Sequence, residues 1–163
     1  MVRVERHHIQ VTEEIVRLCS LSRDLYNRCN YLVRQAFFAH ERLPGLGELV
    51  HLIHDEPCFQ DFGNTKVSKQ TVRQVITDWS NFFKALRVFK ADPSKFRTRP
   101  RPPHYKDQLA QVSFYSETIR RKPLKEGIIR PTNDCFDLRH AMRSHDHVGL
   151  VTRRSASGLS MIK

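Results

Sequence analysis

The residues best equipped for chemistry in this sequence are cations and aromatics crowded into one short stretch. Lys95-Phe-Arg-Thr-Arg-Pro-Arg-Pro-Pro-His-Tyr-Lys106 places five cations (Lys95, Arg97, Arg99, Arg101 and Lys106) and no carboxylate in twelve residues. Cations at this spacing neutralise phosphates, and Phe96, His104 and Tyr105 offer ring faces on which bases or sugars stack. Pro100, Pro102 and Pro103 keep such an arm extended, close to polyproline geometry, which lowers the ordering cost of binding. The rival readings of the same residues are a Pro-rich soluble linker and a ligand for a polyproline-binding domain.

Other chemistries have less to work with. There is no nucleophile elbow, no Gly-rich phosphate loop and no Cys-x-x-Cys pair. His51 and His54 with Asp55 and Cys58, and the trio His140, His145 and His147, match no closed tetrahedral metal pattern. Two-metal nuclease chemistry needs several carboxylates around divalent cations, and the acidic residues before position 83 read as helix-surface or capping groups. The expectation is a chain with no catalytic residue, no metal and no cofactor of its own.

The charge map agrees with the arm. Of a net charge of +11, residues 84–130 hold +9, from 13 basic and 4 acidic residues, whereas residues 1–83 are neutral. A block of one sign repels itself and is best explained by a polyanion, here nucleic acid. The 163 residues, with ten Phe, suffice for one domain with a core. No apolar run spans a bilayer, and Met1-Val-Arg-Val-Glu-Arg-His-His is no secretory leader, so no membrane partner and a cytoplasmic location are expected. Cys19, Cys29, Cys58 and Cys135 then read as buried, reduced thiols.

The elements that must position the arm follow from periodicity. Val2, Val4, Ile9 and Val11 make residues 1–11 a short strand. Thr12 caps a helix whose Ile15, Leu18, Cys19, Leu25, Tyr26, Cys29, Leu32, Val33, Ala36 and Phe37 form a core-facing stripe, ending by Pro44-Gly-Leu-Gly47. A short helix covers 48–54, and 58–65 read as loop. A second long helix runs from Ser68 to about Phe89, with Lys69, Arg73, Lys84 and Arg87 on one flank of its apolar stripe and Asp78 on the other. Lys90 continues the charge toward the arm. Asp92-Pro93 stops the helix. Val112-Ser-Phe-Tyr-Ser, Ile128-Ile129 and Cys135-Phe-Asp-Leu138 read as strands, with turns near Glu126-Gly127 and Asn133-Asp134. Arg120, Arg121 and Lys122 form a second basic cluster. Beyond Leu138 the alternating apolar pattern is lost.

Three runs carry a resemblance. Trp79-Ser-Asn-Phe-Phe-Lys-Ala-Leu, then Asp92-Pro-Ser-Lys-Phe, then Arg99-Pro-Arg-Pro-Pro-His-Tyr-Lys106 resemble the OrfB/TnpB proteins of insertion sequences, which are RNA-guided DNA nucleases. Leu25-Tyr-Asn-Arg-Cys-Asn-Tyr31 is similar to their first long helix. Val112-Ser-Phe-Tyr and Gly127-Ile-Ile-Arg-Pro131 fit the strands after the arm. The likeness covers roughly residues 2–138.

The resemblance implies an α+β fold. Its parts are a first barrel strand (1–11), an inserted helical lobe (12–91) of two long antiparallel helices plus a short one, the basic arm (92–108) and a β segment (109–138) of a small, incomplete barrel. A divergent tail (139–163) that could lack order completes the chain. The lobe is the region often described in this family as helix-turn-helix. The resemblance also implies partners: guide RNA and DNA, gripped by the backbone while base pairing supplies sequence choice. The family's RuvC-like carboxylates and zinc ribbon have no counterpart in these 163 residues. The chain is therefore expected to be a truncated or frame-shifted piece that binds without cutting. The alternatives are the binding subunit of a split nuclease whose cutting part is a separate chain, and a small DNA-binding repressor derived from the family.

Overall fold

A computed structural model describes residues 6–8, 11–131, 137–139, 150–155 and 158–162. After a short strand β1 (Arg6–His8) come four helices, α1 (Glu13–Phe38), α2 (Leu46–Ile53), α3 (Pro57–Gln60) and α4 (Thr65–Ala91). Helices α1 and α4, of 26 and 27 residues, dominate the molecule. Among the described residues no helix is long and apolar enough to cross a membrane.

Local chemistry sets the ends of these helices. The Thr12 hydroxyl accepts from the Ile15 amide at 3.3 Å, and Glu13 and Glu14 meet the positive end of the α1 dipole. Asn64 caps α4 in the same way through Lys66 N at 2.9 Å. Helix α1 stops before the Pro-Gly run expected to end it. His40 turns left-handed (φ 58°), which lets His40 N reach Phe37 O and Glu41 N reach Ala36 O, a Schellman closure. At the far end of α4, Asp92 accepts from the amide and hydroxyl of Ser94 at 3.1 and 2.6 Å, and Pro93 opens a single 3-10 turn.

The two long helices run parallel, which corrects the antiparallel pairing expected. Contacts rise together along both: Ser22 with Thr71, Tyr26 with Asp78, Asn30 with Trp79, and Phe37 with Trp79, Phe82 and Phe83. An antiparallel pair needs only a short turn between helices. Here residues 39–64 are long enough to carry the chain back through α2 and α3. The connection ends beside the start of α1, where Arg17 Nη1 donates to Asp61 O at 2.9 Å. Leu49, Ile53, Phe59 and Phe62 of this return path are buried. The segment 58–65, read as loop, contains most of α3 and the first residue of α4.

After the arm come β2 (Ser113–Phe114), a 3-10 turn, α5 (Arg121–Lys125), β3 (Ile128–Ile129), β4 (Leu138–Arg139), β5 (Leu150–Ser155) and β6 (Gly158–Ile162). Strands β1, β6, β5 and β2 pair in that order into one antiparallel sheet, and β3 pairs with β4. The order is open among the described residues. Gly127, at φ 76°, forms the turn into β3. The turn near Asn133-Asp134 and residues Cys135 and Phe136 lie outside the described residues. Helix α5 was not anticipated. Strands β5 and β6 fall in the tail, where no strand pattern was read; their ladder uses backbone groups that every residue carries, so composition is a poor guide there. Val112, Phe114, Ile119, Leu124 and Ile129 join the helical residues in one buried cluster.

Candidate nucleic-acid interface

The arm is half fastened and half exposed. From residue 103 onward its backbone is stapled along α1 in the opposite direction. Arg34 Nη1 donates to Pro103 O at 2.8 Å, and Asn30 Nδ2 to Pro103 O and His104 O at 3.2 and 3.3 Å. Asn27 makes a reciprocal pair with Lys106, donating to its carbonyl at 2.8 Å and accepting from its amide at 2.7 Å. Ser22 Oγ donates to Gln111 O at 2.7 Å, and Ala110 N to Cys19 O at 3.2 Å. Side chains on one stripe of α1 thus supply what a neighbouring β-strand would otherwise supply. Trp79 Nε1 donates to Asn30 Oδ1 at 2.9 Å, so α4 holds the central clamp in place.

Upstream of this staple cations stand exposed. Lys84, Arg87 and Lys90 on α4, and Arg97, Arg99 and Arg101 on the arm, are exposed and make no ion pair among the described residues. Arg99 and Arg101 lie over the C-terminal ends of α1 and α4, since with Phe37, Phe38, Phe82 and Leu86 they enclose a common space. This half of the arm therefore sits beside the α4 cations of the same end.

The remaining predicted residues are placed differently. Lys95 pairs with Asp92 at 3.4 Å. Phe96 packs edge-on against Phe89, ring centroids 5.8 Å apart, and is half-buried. His104 is exposed, and Tyr105 is exposed with the Arg34 guanidinium 5.4 Å from its ring centroid. Lys69 and Arg73 belong to the opposite end of α4. There Lys66 pairs with Glu117 at 2.8 Å, and that bond, with the Arg73 charge adding to it, holds the Glu117 carboxyl below its ordinary value. Arg120, Arg121 and Lys122 sit at the start of α5, exposed.

Lys106 departs most from its expected role. Its ammonium lies 3.8 Å from the centroid of the Tyr26 ring, and it is half-buried. Burial lowers its pKa, and the Asp78 carboxylate opposes that shift without cancelling it. Asp78 itself accepts from Tyr26 Oη and Gln74 Nε2, each at 2.7 Å. Lys106 thus packs its ammonium over an aromatic ring within a polar cluster, while its backbone anchors the arm. Sequence reasoning missed Arg34, Asn27 and Asn30; their one signal is a polar i, i+3, i+7 series along an amphipathic helix.

The rest of the surface has less to offer. A space of about 810 Å³ between the end of α1 and α2 is lined by both signs of charge and by none of the predicted contact residues. Its Glu48 is held by Arg42 and by the Gly45 amide. No group of three or more His, Cys, Asp or Glu is arranged to hold a metal ion among the described residues. Cys19 and Cys29 are buried thiols and Cys58 is half-buried; burial pushes the Cys29 thiol up to about 12 and Cys58 to about 11. Cys135 lies outside the described residues. No protein-family model matches this sequence, and neither does any curated protein.

Proposed function

We propose that this chain binds nucleic acid, RNA in preference, by its phosphate backbone. The binding face is the exposed half of the arm with the adjoining flank of α4. The reading is supported above all by one observation: Lys84, Arg87, Lys90, Arg97, Arg99 and Arg101 stand exposed without carboxylate partners among the described residues, upstream of a stapled segment. Anchoring one end removes part of the entropy a free linker would lose on binding, while the unpaired cations retain their counterions for release. A linker that served only solubility would have no use for seven side-chain and backbone bonds to one helix.

The motif resemblance supports a more specific version. The chain acts as the binding part of an OrfB/TnpB-type RNA-guided nuclease, gripping guide RNA and guide–target duplex. In this version the short strands contribute to an incomplete barrel, Arg120, Arg121 and Lys122 supply contacts beside it, and cutting is left to a catalytic domain outside these residues. The whole is placed in the cytoplasm, with no cofactor.

The test is RNA affinity across a salt series for the native protein and for a variant carrying Arg97→Gln, Arg99→Gln and Arg101→Gln. Loss of three contacts on a single strand should reduce the slope of log affinity against log salt by about two. The loss should be equal for unrelated RNA sequences, because phosphate contacts carry no sequence information. An unchanged slope in a folded variant would reduce the arm to a linker.

A further inference from the structure

Beneath arm residues 98–102 lies a space of about 380 Å³, bounded by Phe37, Phe38 and Phe82, by Leu86, and by Arg99 and Arg101. That volume is toward the lower end of the roughly 300–1,000 Å³ of small-molecule pockets. Its walls combine two features that rarely meet by chance. One is an aromatic face left uncovered: Phe38 is 58% exposed, although its ring is braced edge-on by Phe37 at 5.2 Å. The other is a rim of two guanidinium groups with no carboxylate anywhere in the lining. We propose that this space receives one unpaired base of a bound RNA strand, stacked on Phe38, with the flanking phosphates on Arg99 and Arg101.

The chemistry of the lining selects this occupant. An aliphatic ligand would satisfy the rings but leave the guanidinium rim without a partner. A free phosphate would satisfy the rim but leave the rings in water. A nucleotide within a chain satisfies both, since its base presents a flat π-face and its phosphates lie on either side. The floor is also stiff. The Arg34 guanidinium lies 5.3 Å from the Phe38 ring centroid while donating to Pro103 O, and Phe37 packs on Phe82 at 5.9 Å. A preformed floor removes the cost of ordering a stacking platform at the moment of binding. The stack would be indifferent to base identity, so it adds affinity for unpaired strand over duplex and not a sequence code.

This inference rests on the nucleic-acid reading, and its test separates the two. Four ligands are titrated against the native protein: a twelve-nucleotide single-stranded RNA, the same sugar–phosphate chain without bases, the RNA as a duplex, and a Glu/Tyr copolymer peptide. The expected result is about tenfold tighter binding of the single strand than of the abasic chain, the scale of one base–aromatic stack. Phe38→Ala should remove that preference with the salt slope unchanged, and Phe38→Trp, which restores a stacking face, should retain it. A thermal melt confirms that both variants fold. Equal affinity for RNA and abasic chain, at a steep salt slope, would overturn the base pocket and leave the phosphate reading standing. A flat slope with equally weak binding would overturn both. A preference that survives Phe38→Ala places the base elsewhere, and a copolymer that binds as tightly as RNA makes this a peptide pocket; either result overturns the proposal.

Discussion

The indole nitrogen of Trp79 donates to Asn30 Oδ1 at 2.9 Å, while the amide nitrogen of that same Asn30 donates to two carbonyls of the arm. One buried amide thereby joins α1, α4 and the arm. Both of its ends are used, so removing it takes a partner from the buried Trp79 donor and from the His104 carbonyl, and leaves Pro103 O to Arg34 alone. Such a loss is felt more strongly than the net worth of any single hydrogen bond.

Asn30→Ala is therefore expected to destabilise the protein by about 1–3 kcal/mol, read from urea unfolding. Tryptic cleavage after Lys106 should quicken at the same time, because the arm loses its central clamp. Asn27→Ala, at a half-buried site, should cost less in stability while still exposing that cleavage site. An Asn30 variant of native stability and native protease resistance would show that the clamp contributes nothing.

The closure of α1 offers a change in the opposite direction. His40 is exposed and left-handed, a conformation that costs a residue with a Cβ about 1–2 kcal/mol. Part of that is returned through the greater freedom of glycine in the unfolded chain. His40→Gly should then stabilise by about 0.5–1 kcal/mol, raising Tm by a few degrees. His40→Ala, which keeps the Cβ, should give no gain. Equal melting of the two variants would mean that the backbone there is not strained.

Lys106 should report on pH. Its folded pKa lies below the ordinary 10.5, so between those two values the unfolded chain binds the extra proton. The lysine's own contribution to stability then rises with pH across that window. Tyr26 shifts the other way, upward from 10.0, through burial and the Asp78 hydrogen bond, and its contribution is lost only above pH 10.0. Cys29 and Cys58, whose thiols are raised from 9.0 by burial, act in the opposite sense as pH rises past 9.0. The lysine is therefore read as the difference between two proteins in chemical denaturation across alkaline pH. Lys106→Met keeps the stem on the Tyr26 ring and should make stability fall more steeply with rising pH than in the native protein. A variant with the native pH dependence would assign that dependence to other groups.

Much of the helical part was legible because burial repeats at helical spacing. The α1 residues Ile15, Leu25, Cys29 and Val33 and the α4 residues Val72, Val75 and Trp79 are all buried as their periodicity predicts. Thr12 and Asp92 mark helix ends through side-chain chemistry that is local and so readable. Helix direction was not readable, since it depends on how far residues 39–64 carry the chain back. Nor was the docking of the arm. Asn27, Asn30 and Arg34 look like solvent-facing residues until something lies against them, and their partners are backbone carbonyls and an amide, which have no sequence signature. The same blindness applied to Lys106, whose type announces a phosphate contact and whose surroundings make it part of the packing.

The bonds between α1 and the arm with its continuation join residues 69 to 91 positions apart. At synthesis rates of about 5–20 residues per second, α1 leaves the ribosome several seconds before the segment that covers its polar stripe. In that interval water occupies Ser22, Asn27 and Asn30, and the α1–α4 pair can assemble without the arm, because its apolar contacts require nothing beyond residue 91. Arm docking is accordingly a late event in the birth of the molecule. The basic stretch is synthesised before the residues that finish stapling it, so the nascent chain presents its cations before their direction is fixed.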